Sequence, residues 1–159
     1  MKNSEVEAVL KFYKNIDLDI QVASEWLGQL EENYDNRKAI NYDGMPHGNG
    51  TSDSTALLAM KLAEKDTLER VNMLKDRVTE LKKLRTEILK EISSLSPIHK
   101  IIIDGFYLQG QKWEHIGERI NYSVRQSKNI RCISLEVLGG KLARNRNISR
   151  SKIIAEIIE

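Results

Sequence analysis

A chain of 159 residues suits one compact domain, or a small domain with an extended element, and leaves no room for two large cores. Charged residues make up 30%, hydrophobic residues 40%, and there are only two prolines, a balance expected of a folded helical chain and not of a disordered one. The net charge of +2 hides an asymmetry: residues 1–40 carry five basic and eight acidic side chains, 41–95 carry nine of each, and 96–159 carry eleven basic against six acidic.

Cys132 is the single cysteine, so no internal disulfide framework or cysteine-built zinc site is expected, and His47, His99 and His115 lie far apart. No apolar run approaches the roughly 20 residues that span a bilayer, and MKNSEVEAVLKF lacks the apolar core of a signal peptide. The expectation is a cytoplasmic protein with no membrane partner.

In chain order, Val6, Leu10, Tyr13, Ile16, Ile20, Ala23, Leu27, Leu30 and Tyr34 recur at steps of three and four, which predicts an amphipathic helix from about 4 to about 35. Ser4 and Glu7 have the spacing of a capping box at its start. The stretch 41–53, NYDGMPHGNGTSD, with three glycines and a proline, is a loop, and a connector between helices is favoured over a recognition loop centred on Met45, Pro46 and His47.

Residues 54–95 contain neither Gly nor Pro and are rich in strong helix formers. Val71, Leu74, Val78, Leu81, Arg85, Ile88, Ile92 and Leu95 read as a heptad seam interrupted by Arg85. Such a seam is covered either by folding back on the first helix or by a second copy of the chain. A homodimer through the helices of 4–35 and 54–95 is therefore expected as one arrangement.

Ser96 and Pro97 open a third helix whose apolar face is Ile98, Ile101, Ile102, Phe106 and Leu108, and Gly110 ends it. Trp113, Ile116 and Ile120 share one face of a short helix on which Gly117 permits close approach. Asn121 tolerates the left-handed backbone of a sharp turn. Ser123 with Gln126 then forms a second capping box.

Helix, tight turn, helix, with 97–108 as a third member, is the pattern of a helix-turn-helix unit over 96–138. The tract 125–152 holds Arg125, Lys128, Arg131, Lys141, Arg144, Arg146, Arg150 and Lys152 against Glu136 alone. Ser127, Ile130, Ser134, Leu135 and Leu138 suit an inner face, which directs Arg125, Gln126, Lys128 and Asn129 outward. Arg can grip guanine and Gln or Asn adenine, so these residue types fit base reading, while Arg131 and the later cations fit phosphates. Ser123, at the start of the same helix, completes the expected DNA-binding set. Trp113 is expected in or at the edge of the core, and His115 on the surface. Gly139 and Gly140 are expected to end the helix, leaving 139–159 as a basic extension in which SRSKIIAEIIE forms one more short helix.

The stretch from Leu95 to Leu138 resembles region 4 of the sigma factors and, more closely, the phage-encoded ArpU and RinA-type late-gene transcription regulators. The resemblance is carried by Leu95, Ser96 and Pro97, by Gly110, by Trp113, Glu114 and Ile116, and by Tyr122, Ser123 and Arg125; DGMPHGNGTSD also resembles the connector of such phage proteins. Ser127 departs from the pattern, which usually has an aliphatic residue there and predicts a looser seating. The resemblance implies a regulator that binds promoter DNA, contacts host RNA polymerase and switches on late phage genes in the bacterial cytoplasm.

The expected architecture is thus all-α: a coiled-coil-like helical hairpin over 1–95, a helix-turn-helix unit over 96–138 and the extension 139–159, with double-stranded DNA as partner. Two other readings compete, the DNA-recognition subunit of a packaging complex resembling a small terminase, and a coiled-coil interaction scaffold. No paired carboxylates, Ser-His-Asp set or phosphate-cradling glycine loop stands in a convincing context, so no enzymatic activity, cofactor or metal is expected.

Overall fold

The computed structural model describes residues 1–39 and 54–158; the loop 41–53, with its alternative recognition role, lies outside them. The fold is all-α, and no strand occurs among the described residues. Two long helices, α1 (Asn3–Ala39) and α2 (Ser54–Ser93), precede five short or medium ones, α3 (Pro97–Ile102), α4 (Trp113–Ile120), α5 (Val124–Arg144), α6 (Arg146–Ser149) and α7 (Lys152–Ile158). The chain divides into two compact units, one formed by Met1–Leu18 with Leu81–Glu159 and the other by Asp19–Glu80.

Asp19–Glu80 is a helical hairpin of the two long helices. Ala23, Val71 and Val78 are buried in it, with Ile20, Leu27, Leu30 and Leu74 half-buried around them. Pairings between the two helices of the hairpin agree with an antiparallel sense: Lys75 Nζ lies 2.6 Å from Glu31, and the Tyr34 hydroxyl donates to Glu64 at 3.2 Å. Both pairs are solvent-exposed, so burial of the small apolar seam, and not these charges, supplies the stability.

The other unit holds most of the core. Val6, Val9, Leu10 and Ile16 from α1 meet no solvent, nor do Leu81, Leu84, Ile88 and Ile92 from α2. Here the seam departs from its sequence reading: Leu84, not Arg85, takes the buried place between Leu81 and Ile88. A spacing of 81, 84, 88 keeps the helical stripe apolar without a break, and Arg85 moves to the rim, where Nε lies 2.9 Å from Asp17 Oδ1.

The capping box expected of Ser4 and Glu7 does not form. The helix begins one residue earlier, with the Lys2 amide donating to Glu5 Oε2 at 2.9 Å, and Glu7 is occupied elsewhere. Its Oε1 accepts a 2.6 Å hydrogen bond from the Tyr107 hydroxyl. Burial, followed by this hydrogen bond to a carboxylate, holds the Tyr107 phenol well above its ordinary value.

Isoleucines 101–103 are helical as expected, but the ladder changes pitch. After α3 the chain widens into a π-helical turn, Ile103–Leu108, closed by the Gln109 amide donating to the Asp104 carbonyl at 2.9 Å. Ile102 and Ile103, on either side of this change of pitch, are both fully buried. Gly110, at φ 65°, terminates the segment in the left-handed region.

Gly139 and Gly140 do not end α5, which continues to Arg144. Gly139 is where the N-terminus of α1 crosses: a Cβ there would lie 2.9 Å from Val6 Cγ2 and 3.0 Å from the Met1 carbonyl. Close approach, rather than helix termination, explains this glycine. Beyond it Leu142, Ile148, Ile153 and Ile154 are buried, so 139–159 contributes core as well as charge. Asn145 fastens this segment to α2, its side-chain nitrogen donating to Glu87 at 2.8 Å and Glu91 at 2.9 Å while its oxygen caps α6. The Asn145 hydrogen bond holds the Glu87 carboxyl below its ordinary value.

The two glycines give a paired test. Gly140 has open space around it, so Gly140→Ala is expected to stabilise the unit by about 0.5 to 1 kcal/mol, whereas Gly139→Ala is expected to cost about 1 to 3 kcal/mol. Urea denaturation reads both; equal shifts would show that Gly139 is not a packing position. The Tyr107 pair gives a pH test. A phenol whose folded value is raised contributes stability that is fully present below about pH 10 and is lost as pH climbs toward the folded value. Tyr107→Phe is therefore expected to remove part of the alkaline fall in melting temperature above pH 10.

Candidate nucleic-acid interface

α3, α4 and α5 pack on one another pairwise, forming a three-helix unit in which α4 and α5 are joined by three residues. Apolar spacing sets the packing. Ile116 on α4 is fully buried, as are Ile102 and Ile103 of the preceding segment and Leu135 and Leu138 on α5. Trp113 stacks on Phe106 with ring centroids 4.4 Å apart and stays half-buried at the core edge, while His115 is exposed.

The turn between α4 and α5 is specified atom by atom. Asn121 adopts φ 56°, ψ 40°, and its neighbour Tyr122 donates its amide to the Gly117 carbonyl at 2.9 Å. The returning backbone passes so close that a Cβ on Gly117 would sit 2.7 Å from the Tyr122 carbonyl oxygen. Gly117 thus admits the turn itself, where the sequence suggested admission of a neighbouring helix. The next residue across the gap is Ser127, whose hydroxyl lies 3.6 Å from that Cβ position and donates to the Ser123 carbonyl at 3.0 Å.

Ser127 is completely buried, with its polar group satisfied. Its small side chain fits beside Gly117 at the turn. Two turns on, buried Ser134 donates to the Ile130 carbonyl at 2.8 Å and lies 2.7 Å from His99 Nδ1 on α3. The two serines line the inner face of α5, and Ser134 ties it to α3.

Ser123 and Gln126 form the expected capping box: the Gln126 amide donates to Ser123 Oγ at 3.3 Å and the Ser123 amide to Gln126 Oε1 at 3.2 Å. Both belong to the sequence-derived DNA-binding set, and both spend polar atoms on the cap. Bidentate reading of adenine needs the amide oxygen as well as the nitrogen of Gln126, so that role requires the cap to open.

Arg125, Lys128 and Asn129 are exposed on the first two turns of α5. Helical spacing puts Arg125 and Asn129 on one outward ridge and Lys128 on its flank. Arg131 is placed differently: it is half-buried, its Nε is enclosed without a hydrogen-bond partner, and its charge acts on Tyr107. Among the later cations Arg144, Arg146, Arg150 and Lys152 are exposed and Lys141 is half-buried. The outward ridge also carries residues that the sequence reading passed over, Ile133 and Val137, which are 51% and 38% exposed. Their intervals of four from Arg125 and Asn129 were the available signal.

Among the described residues no cluster of His, Cys, Asp or Glu is placed to hold a metal, and no helix is long and apolar enough to cross a membrane. No family model matches the chain, and neither a curated protein nor a solved structure matches it.

The turn is testable without a ligand. Gly117→Ala gains the roughly 1 kcal/mol of alanine's helix propensity but collides with backbone, so a net loss of about 1 to 2 kcal/mol is expected. Ser123→Ala is expected to cost about 1 kcal/mol through the cap. Chemical denaturation showing both variants as stable as the parent would contradict this description of the turn.

Proposed function

We propose that the protein is a sequence-selective DNA-binding transcription regulator in which α5 is the recognition helix of a helix-turn-helix. The observation that carries this reading is the division of α5 into two faces. One, with Ser127, Ser134, Leu135 and Leu138, is buried against its own unit, and the other exposes Arg125, Lys128 and Asn129 at the helix start. A major groove about 12 Å wide admits a helix, and donors near its N-terminus are the groups that meet base edges and phosphates.

In this reading Arg125 and Asn129 read bases, and Lys128 with the exposed Arg144, Arg146 and Arg150 neutralises phosphates. Arg131, half-buried with its Nε enclosed, is less available to a duplex than the exposed cations. The narrower assignment, a phage late-gene activator that engages host RNA polymerase as sigma region 4 does in the bacterial cytoplasm, rests on the resemblance over Leu95–Leu138. Pairing of two copies through the long helices would supply two recognition helices, the number that a site of two half-sites calls for.

Arg125→Ala is expected to weaken binding by about 1 to 3 kcal/mol and to relax selectivity, with the melting temperature unchanged because the side chain is exposed. Lys128→Ala should weaken binding to all duplexes alike and reduce the slope of affinity against salt by about one. Fluorescence anisotropy on duplexes enriched by selection from a random pool measures both. Parental affinity and salt slope in both variants would reject the assignment of α5.

A further inference from the structure

An isoleucine and a valine, Ile133 and Val137, are exposed on the same side of α5 as Arg125 and Asn129. α5 buries six residues in its own unit, and neither Ile133 nor Val137 is among them. They continue the outward ridge begun by Arg125 and Asn129 at intervals of four, each interval advancing about 6 Å along the axis. Ile133 therefore stands about 12 Å beyond Arg125, the length of three to four base-pair steps of about 3.4 Å.

We propose that Ile133, extended by Val137, is a specificity-determining surface that recognises the 5-methyl groups of thymines in the major groove. This inference rests on the DNA-binding reading and names what the apolar half of the same ridge selects. In the major groove the thymine methyl is the base-edge group that an aliphatic side chain meets favourably. A cytosine at that place presents no methyl, and its amino group faces an aliphatic surface that cannot accept its hydrogen bond. Polar reading at Arg125 and Asn129 followed by apolar reading at Ile133 would give one helix a composite site, with guanine or adenine toward its start and thymine further along. Continuity decides the occupant: the apolar pair lies on the same ridge as the groups that would already hold the duplex, so a duplex seated on Arg125 and Asn129 brings base edges to Ile133.

The test uses the full chain and a duplex selected from a random pool. Each thymine of the selected site is replaced in turn by deoxyuridine, which removes only the methyl. The parent is expected to lose about fourfold in affinity at one or two positions, corresponding to about 0.8 kcal/mol for a buried methyl-sized group. Ile133→Ala is expected to bind the thymine-containing site several-fold more weakly and to become indifferent to deoxyuridine at those positions. It should leave the melting temperature and the binding to unrelated duplexes unchanged, and Ile133→Val should retain part of the discrimination. Uridine penalties that are absent in the parent, or that persist unaltered in Ile133→Ala, overturn the inference while leaving DNA binding intact. A pool from which the parent enriches no sequence overturns the DNA reading itself, and this inference with it.

Discussion

The α4–α5 arrangement depends on one close contact, the passage of the Tyr122 carbonyl over the bare face of Gly117. It is permitted because Gly117 has no side chain, and it is fixed because Asn121 takes the left-handed conformation that reverses the chain in a single residue. Ser123 then starts the next helix at once, with its hydroxyl and the Gln126 amide satisfying the first free donors. Glycine, left-handed asparagine and cap together set the direction in which α5 leaves α4. Every outward side chain of α5 inherits that direction.

Buried polarity keeps the helix in place once the turn has aimed it. Ser127 and Ser134 occupy positions where aliphatic side chains would be ordinary, yet each is hydrogen-bonded and fully enclosed. A small residue at 127 lets α5 approach the Gly117 turn, and the hydroxyl at 134 meets His99 of α3. The hydroxyls of both serines are satisfied by carbonyls of their own helix turn, and the Ser134 contact with His99 crosses to α3; leaving that contact unmade would cost about 1 to 3 kcal/mol, which favours this seating of α5. The C-terminal segment adds a second restraint from the far side, through Leu142, Ile148 and the contact of Gly139 with the start of α1.

Much of this was legible in the sequence, because the local signals were of types that act locally. The helix pattern, the turn at Asn121, the cap at Ser123 with Gln126 and the inner face of α5 follow from spacing and backbone preference alone. What the sequence concealed depended on partners distant in the chain. Arg85 looked like a break in the seam until Leu84 proved to be the buried residue, since a strict heptad differs from the helical stripe by one position. Glu7 looked like a capping residue, but Tyr107, one hundred residues away, takes it. Gly139 and Gly140 looked like a stop signal, although one of them answers to the N-terminus crossing α5. Burial of Arg131 Nε was likewise invisible, because it depends on what packs around that part of α5 and not on spacing within the helix.

Backbone amide spectra of the full chain, recorded while a selected duplex is added, test the central claim most directly. The account predicts that saturating DNA shifts the amides from Ser123 to Val137 and leaves those of residues 54–80 in place, with the shifts reversing as salt is raised. Saturation of the duplex with the α5 amides unmoved would contradict it.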